Sequence, residues 1–320
     1  MATDYILFIH GVNTRDRREQ PQYADKLFQR LQESASNDGR ELKKIALYWG
    51  DVNKEAEENL LKQFKASPIW EHIGFRTFRE QQLLQFAGDA ALYISRQVGF
   101  KVVKELKKQT LDGLKNAQSD DRLHLVTHSW GTVILFDILF AARWDDPQVP
   151  GHDDVMEIRD CIYGLSGKDP NPHQGVLISS IHTMGSPVAI FTLTNVIPGR
   201  DGPDSPSTHD ITPQLQRLLE SLDSKRNGNK LPWRNYIHAG DPIAYPLKEV
   251  MTNLVDRQTK YLDIQDLMTQ ESGLLESLTA QSVFALMHGG EAHGSYWGSD
   301  KVVQEISNVV NAETPAFHQR

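Results

Sequence analysis

One serine lies where a predicted strand meets a predicted helix, and this position favours a role as a nucleophile. In residues 122–137, RLHLVTHSWGTVILFD, an apolar run precedes Ser129, and apolar residues recur at helical spacing after Gly131. This context fits the G-x-S-x-G pattern, in which a sharp turn holds the serine oxygen clear of the chain. Gly131 provides the small residue needed two positions after the serine, whereas Thr127 stands where the first glycine is usual. The alternative is a turn serine that caps the following helix.

A serine hydroxyl needs a general base to remove its proton, and the base needs an anionic partner to fix its tautomer. In folds that carry this strand–serine–helix motif, the acid follows the serine in the chain and the histidine follows the acid. Asp241 is preferred as the acid because it comes directly after a predicted buried strand, in a Gly-Asp-Pro turn. Asp137 lies two turns along the helix after Ser129 and is expected to face away. Three acids in loop-rich sequence remain open: Asp201, Asp204 and Asp210.

Three histidines follow Asp241 in the required order. His293 is preferred as the base because it lies in a loop rich in Gly, Ala and Ser, directly before Tyr296, Trp297 and a terminal helix. His288 follows an apolar helix and could instead cap its carboxyl end. His318 lies in the terminal tail and is set aside.

Composition limits the possible partners. The chain has 320 residues and a formal net charge of −8, without a block of Lys and Arg, so nucleic acid is a poor partner. Cys161 is the single cysteine, which excludes an internal disulfide and a Cys-based zinc site. The first residues pass directly into a strand, and no stretch approaches the roughly 20 apolar residues of a membrane span. A cytoplasmic protein without an integral membrane segment is therefore expected.

Strands alternate with helical patterns along the chain, which predicts a mainly parallel sheet with helices on both faces. The predicted strands outside the Ser129 segment are Tyr5–Ile9, Lys44–Trp49, Val176–Met184, Trp233–His238 and Lys260–Ile264. The predicted helices are Gln22–Ser34, Phe86–Asn116, Pro213–Leu222, Glu276–Leu286 and Asp300–Val310, besides the one after Ser129. A single domain over residues 1–320 is expected.

Insertions are predicted at about 51–85, 145–174 and 198–230. The first contains a charged helix and the aromatic residues Trp70, Phe75 and Phe78, which more often belong to a core than to a binding pocket. The second is rich in Asp, Pro, Gly and His and suggests a surface excursion. The third includes PGRDGPDSP at 198–206, the most loop-like composition in the chain.

Five short motifs occur in the order typical of the α/β-hydrolase superfamily: His10-Gly11-Val12-Asn13, Thr127-His128-Ser129-Trp130-Gly131, Thr183-Met184-Gly185-Ser186-Pro187, Gly240-Asp241-Pro242 and His293-Gly294-Ser295-Tyr296-Trp297. Together they resemble lipase-like serine esterases, in the neighbourhood of the GPI inositol-deacylase-like hydrolases and the class 3 lipases. The resemblance spans nearly the whole chain. It departs from the usual pattern at Thr127, and at Trp130 where leucine is usual.

The resemblance implies a Ser129–Asp241–His293 triad and ester hydrolysis through an acyl-enzyme, without a metal or another cofactor. It also implies an oxyanion hole formed by the backbone N–H groups of Val12 and Trp130. The competing interpretation of Gly11 is an ordinary glycine between a strand and a loop. Trp130 is expected to narrow the acyl pocket, so a small-molecule ester fits more readily than a long-chain lipid ester.

Other functions share part of this pattern. A thioesterase uses the same machinery, and a non-catalytic binding or scaffolding module could keep the fold without the reaction. A metallohydrolase using His288, Glu291 and His293 fails on spacing, because histidines five residues apart in a Gly-rich loop are not the i, i+4 helical pair that binds zinc.

Overall fold

A computed structural model describes residues 2–12, 14, 22–35, 39–52, 54–72, 96–165, 175–191, 210–270 and 292–312. Within these ranges, six strands form one sheet: β1 Thr3–Ile9, β2 Glu41–Leu47, β3 Arg122–His128, β4 Leu177–Met184, β5 Leu231–His238 and β6 Leu262–Gln270. Their order is β2-β1-β3-β4-β5-β6, and every neighbouring pair is parallel. All six strands therefore direct their carboxyl ends to one edge of the sheet.

Helices cover both faces of this sheet. They are α1 Asp25–Ser34, α2 Lys54–Lys65, α3 Arg96–Leu114, α4 Trp130–Phe140, α5 His152–Asp160, α6 Val188–Phe191, α7 Thr212–Lys225, α8 Lys248–Val255 and α9 Asp300–Ala312. Helices α1 and α9 pack on the face that carries Ile6 and Phe8 of β1. Helices α3, α4, α5, α7 and α8 pack on the opposite face, with Tyr5, Leu7 and Ile9 of β1. Because successive strand residues point to opposite faces, a strand buried on both sides is apolar throughout, as in β1.

The predicted fold class is confirmed: the chain has an α/β-hydrolase fold with an all-parallel central sheet flanked by helices. The serine motif joins the central strand β3 to α4, whose residues are all buried. An apolar helix pattern without a polar face is expected where a helix is enclosed by protein on every side.

Element boundaries differ from the predicted ones where side chains terminate an element. Helix α1 begins at Asp25 rather than at Gln22, because an oxygen of the Asp25 side chain accepts a hydrogen bond from the Gln22 N–H (2.7 Å) before the first turn. Strand β2 ends at Leu47, and Trp49 instead leaves the sheet and stacks on His10. The last strand was predicted too short, since β6 continues to Gln270 as an edge strand paired with β5.

Residues 145–174 were expected to form a surface excursion, and this is wrong for their first half. Helix α5 occupies His152–Asp160 and buries Val155 and Ile158 in the core on the α3 side of the sheet. The buried Arg159 donates hydrogen bonds to the carbonyls of Ile138 and Ala141 at the end of α4 (both 2.9 Å). The polar composition of this segment comes from its loops and gives no indication of α5, a short helix whose Arg159 caps the carboxyl end of α4.

Trp70 is buried, as expected for a core aromatic, and stacks on Phe64 with ring centroids 5.9 Å apart. Other predictions lie outside the described residues. These are Phe75, Phe78, residues 86–95 of the predicted helix Phe86–Asn116, residues 198–206 and the predicted helix Glu276–Leu286. In the described part of the chain, no helix is long and apolar enough to cross a membrane.

A chain of buried polar side chains crosses the sheet beneath α9. His124 Nδ1 lies 2.7 Å from Ser180 Oγ, and Ser180 Oγ lies 2.9 Å from His182 Nε2. His182 Nδ1 lies 3.0 Å from the Tyr236 hydroxyl. Burial lowers the pKa of His124 to about 3, lowers the pKa of His182 well below its usual value, and lowers the pKa of His128 to about 3. These three histidines are therefore neutral in the folded protein at pH 7.

This burial predicts a loss of stability in weak acid. Because the folded-state pKa of each of these histidines is depressed, the unfolded chain binds more protons than the folded protein below about pH 6.5. His124 and His128 should therefore each destabilise the fold by about 2 kcal/mol between pH 7 and pH 5, and His182 adds a loss in the same direction. Urea unfolding at both pH values, at one ionic strength, measures the difference. An equal free energy of unfolding at the two pH values would contradict neutral, buried rings.

Candidate active site

Ser129 is held at a strained turn between β3 and α4. Its backbone has φ +55° and ψ −131°, a conformation that non-glycine residues adopt at a cost of roughly 1–3 kcal/mol and mainly at functional sites. The turn is fixed by a hydrogen bond from the Ser129 N–H to the Met184 carbonyl at the end of β4 (2.9 Å). The surrounding structure therefore supports a conformation that the local sequence alone would avoid.

The surroundings of Gly131 and Thr127, which flank the turn, explain which side chains the motif accepts at these two positions. A Cβ atom on Gly131 would lie 2.3 Å from the His10 carbonyl oxygen, so β1 and α4 can approach only if this residue is glycine. Thr127, where the usual pattern has glycine, is fully buried, and its hydroxyl lies 2.8 Å from that of Thr132. The threonine is accommodated through this contact, so the departure from the pattern does not disturb the turn.

The side chain of Ser129 does not cap α4. Its hydroxyl oxygen is buried, makes no capping hydrogen bond, and has no hydrogen-bond partner among the described residues. A buried hydroxyl without a partner costs free energy, about 1–3 kcal/mol. Neither the backbone nor the side chain of Ser129 is therefore in a conformation that favours stability.

The loop after β1 lies against this serine. A Cβ atom on Gly11 would meet Ser129 Cβ at 2.5 Å and Ser129 Oγ at 2.9 Å, so only glycine permits the approach. His10 Nδ1–H donates to the Gly11 carbonyl (2.6 Å), and His10 Nε2 accepts from the Trp49 N–H (3.1 Å). Since the C=O and N–H of a trans peptide point in opposite directions, the Val12 N–H is directed away from the His10 ring.

Trp130 is the first residue of α4, directly after the serine, and its side chain is buried. Backbone N–H groups in the first turn of a helix point along the axis, and the helix dipole adds partial positive charge there. The start of α4 and the Gly11 loop thus bring backbone N–H groups to the side of the serine, in an arrangement suited to a developing negative charge.

Asp241 and His293, which are far apart in the chain, form a hydrogen-bonded pair at the carboxyl edge of the sheet. His293 Nδ1–H donates to Asp241 Oδ2 at 2.8 Å. The Tyr296 hydroxyl donates to the same oxygen at 2.7 Å, and the Ile243 N–H donates to Asp241 Oδ1 at 3.0 Å. The Tyr296 oxygen in turn accepts a hydrogen bond from the His238 N–H at the end of β5 (2.9 Å).

These contacts set the charge and the tautomer of the pair. Burial acts to raise the pKa of Asp241, but the hydrogen bond and charge of His293, with the Ile243 N–H and the Tyr296 hydroxyl, bring that pKa below its ordinary value. Burial and the neighbouring carboxylate raise the pKa of the Tyr296 phenol, which keeps it a donor. With the proton on Nδ1, the Nε2 atom of His293 carries the lone pair that a general base requires.

No hydrogen bond joins Ser129 to His293 in the part of the chain that the structure describes. His293 Nε2, like Ser129 Oγ, is buried and has no hydrogen-bond partner within the described part of the chain. The ring of His128, the residue before the serine, lies 4.7 Å from the ring of His293, centroid to centroid. The structure therefore pairs the predicted residues Asp241 and His293 and places the His293 ring next to the residue that precedes Ser129.

Gly185, at the end of β4, provides the space for the Asp241–His293 pair. Its φ is +56°, and a Cβ atom there would lie 2.7 Å from Asp241 Oδ2, 2.8 Å from Tyr296 Cε2 and 3.2 Å from His293 Cε1. The sequence motif around Gly185 was recognised without a role for this residue. A glycine directly after a strand, level with the serine turn, was the signal available.

Gly185→Ala is expected to displace the pair, because the new methyl group overlaps the carboxylate and the tyrosine ring. A displacement of about 1 Å at such a site typically costs about 10²-fold in rate, and positive φ adds strain. The matched control is Gly228→Ala, since Gly228 also has positive φ (+76°) but has open space around it. Urea unfolding should show a lower free energy of unfolding for both variants because both are strained. Hydrolysis of an activated ester should be slower for Gly185→Ala alone. Equal effects of the two variants would contradict a specific role for Gly185.

The other candidate acids and bases are placed elsewhere or lie outside the described residues. Asp137 is buried in α4 with Arg143 and the Trp144 indole N–H, away from the serine turn as expected. Asp210 accepts a hydrogen bond from the Thr212 N–H (2.9 Å) at the start of α7. Outside the described residues lie Asp201, Asp204, His288, Glu291 and His318. Within the described ranges, no group of three His, Cys, Asp or Glu side chains is placed to hold a metal ion.

The described residues combine an all-parallel sheet flanked by helices with a serine after β3, an aspartate after β5 and a histidine after β6. No protein-family model matches the chain, and no curated protein matches it. Among solved structures, the chain is similar to a proposed cell-surface hydrolase from Lactobacillus plantarum WCFS1, with 12% sequence identity and a TM-score of 0.28. That comparison covers 91% of this chain and 98% of the other. At this distance the likeness carries no functional argument.

Proposed function

We propose that this protein is a serine hydrolase that cleaves carboxylic esters through Ser129, His293 and Asp241. The observation that carries the proposal is the His293 Nδ1–Asp241 Oδ2 hydrogen bond of 2.8 Å beside a serine at φ +55°. A base whose tautomer is fixed by a buried carboxylate, next to a strained serine, is the arrangement that activates a hydroxyl at neutral pH.

In the proposed reaction, Ser129 Oγ attacks the ester carbonyl carbon while His293 Nε2 takes the hydroxyl proton. The C–O bond to the alcohol then breaks, and His293 returns the proton to the departing oxygen, which leaves an acyl group on Ser129. Water, deprotonated by His293, attacks the acyl-enzyme and releases the acid. In this mechanism the Ser129–His293 hydrogen bond forms in the substrate complex, where such bonds commonly tighten.

Backbone N–H groups of Val12 and Trp130 supply the oxyanion hole in this mechanism. The proposal is supported by the close approach of Gly11 to Ser129 and by the position of Trp130 at the start of α4. Each donor to the oxyanion contributes about 3–4 kcal/mol to stabilising the transition state in comparable enzymes. Asp241 stabilises the imidazolium that His293 becomes, and its low pKa keeps it ionised throughout.

Burial at the serine supports a proposal for the substrate class. Ser129 is fully buried and the side chain of the next residue, Trp130, is buried as well, which favours a short or slender acyl group over a bulky one. We propose small-molecule esters as the main class and lipid esters with accessible acyl ends as the second. A thioester presents the same carbonyl and follows the same route.

Partitioning of the acyl-enzyme tests this reaction class. If p-nitrophenyl acetate and phenyl acetate form the same acetyl–Ser129 intermediate, added methanol should yield methyl acetate and acetate in one ratio for both esters. Two different ratios, or no methyl acetate, would argue for direct attack by water and against an acyl-enzyme. A matched series of acetyl, butyryl and octanoyl esters then gives the acyl length that the site accepts.

A further inference from the structure

His128 lies directly before the nucleophile serine and contacts the main chain of His293. Its Nε2–H donates a hydrogen bond to the His293 carbonyl oxygen at 2.7 Å. Its ring is buried and also packs on Tyr296 and Trp297, with centroid distances of 5.9 and 5.5 Å. No step of the proposed reaction uses this residue.

The partner fixes the tautomer of His128. A carbonyl oxygen can only accept, so the proton of a neutral His128 ring is on Nε2. Burial, with the neighbouring His293, lowers the pKa of His128 to about 3, so the ring is neutral over the working range of pH. A neutral ring neither competes with Asp241 for the proton of His293 nor repels the imidazolium that forms there.

The contact joins two parts of the chain that the reaction must bring together. Ser129 follows β3, whereas His293 is 165 residues beyond His128 and follows the last strand. The Asp241 hydrogen bond orients the His293 ring through Nδ1, but it places no constraint on the backbone of that residue. The hydrogen bond from His128 supplies the missing constraint, because it holds the His293 carbonyl against the serine turn.

We propose that His128 is a positioning residue, which holds the His293 main chain against the serine turn and so keeps Nε2 within reach of Ser129. The inference rests on the proposed serine hydrolase function. It assigns no proton transfer to His128 itself.

The test compares His128→Phe, which keeps a ring without the donor, with His128→Gln, which replaces the donor at a similar reach. The measured quantities are kcat and KM for p-nitrophenyl acetate and the rate of inactivation by a fluorophosphonate, each per titrated active site. We expect His128→Phe to lower kcat and the inactivation rate by about 10²-fold with little change in KM, and His128→Gln to recover most of the loss. His182→Gln is the matched control, because His182 is also buried and its ring contacts Ser180 and Tyr236 rather than the main chain of His293.

A purely structural role gives a different result. In that case His128→Phe, like His182→Gln, would have a lower melting temperature, but its kcat per active site would stay at the wild-type value. That outcome overturns the proposal. Failure of Gln to recover the rate also overturns it. If the proposed function itself is wrong, the wild-type protein will not react with the fluorophosphonate, so the two failures are distinguishable.

A measurement on the wild-type protein covers the case in which His128→Phe does not fold. Nitrogen-15 NMR of the histidine rings should show His128 as the Nε2–H tautomer, neutral at pH 5, with a slowly exchanging ring proton. An Nδ1–H tautomer, or a ring proton in fast exchange with solvent, would overturn the proposal, since the hydrogen bond to the His293 carbonyl would then be absent.

Discussion

Ser129→Ala should lower kcat for the hydrolysis of p-nitrophenyl acetate by about 10⁵- to 10⁶-fold, the loss expected when the nucleophile of a triad is removed. The hydroxyl makes no hydrogen bond within the described part of the chain, so its removal leaves no partner unsatisfied. The folded state should therefore be as stable as the wild type or slightly more stable. Steady-state hydrolysis and urea unfolding, measured on the same preparation, separate the two effects.

The chain offers a matched control for this substitution. Ser179 in β4 is also fully buried, and its hydroxyl likewise makes no hydrogen bond among the described residues. Ser179→Ala is expected to keep the full rate, because that serine has neither the strained backbone nor the histidine beside it. Comparable losses in both variants would show that hydrolysis depends on the integrity of the fold and would remove Ser129 from its role.

Asp241→Asn should lower kcat by about 10⁴-fold while the protein remains folded. Oδ2 accepts from His293 and Tyr296, and Oδ1 accepts from the Ile243 N–H, so the carboxylate faces donors on both sides. In either orientation, an asparagine amide turns its NH₂ group against a donor. If the NH₂ faces His293, the proton of that ring moves to Nε2 and the base is lost.

Tyr296→Phe is the control for Asp241→Asn. It removes one of the hydrogen bonds to Oδ2 but leaves the carboxylate and the histidine in place. Loss of about 1–1.5 kcal/mol of transition-state stabilisation with this hydrogen bond corresponds to about a tenfold lower kcat. A pH–rate profile distinguishes the two variants. Tyr296→Phe should keep the increase in rate that accompanies deprotonation of His293, whereas Asp241→Asn should lose it. Near-normal activity of Asp241→Asn would mean that another acid partners the base.

The strands and their parallel arrangement could be predicted from the sequence because these depend on local patterns. Continuous apolar runs such as Tyr5–Ile9 predict strands buried on both faces, and the parallel sheet places every loop after a strand at one edge. Ser129 and Asp241 each come soon after such a strand and His293 comes after β6, so the topology predicts all three at the same edge of the sheet.

What could not be predicted depends on contacts between distant residues. The role of Gly185 depends on the space between Asp241 and Tyr296, which only the assembled sheet defines. The hydrogen bond between His128 and His293 joins the end of β3 to a segment far along the chain, and no local sequence pattern predicts this contact. Helix α5 was missed because its buried residues are few and its flanks are polar.

The most direct test of the central claim is covalent labelling of the wild-type protein with a fluorophosphonate, followed by mass spectrometry of its peptides. An activated serine predicts one adduct per chain, on Ser129, formed much more slowly in His293→Ala and absent from Ser129→Ala. Absence of an adduct from well-folded wild-type protein, or an adduct on another serine that survives Ser129→Ala, would contradict the proposed nucleophile and favour a non-catalytic binding module.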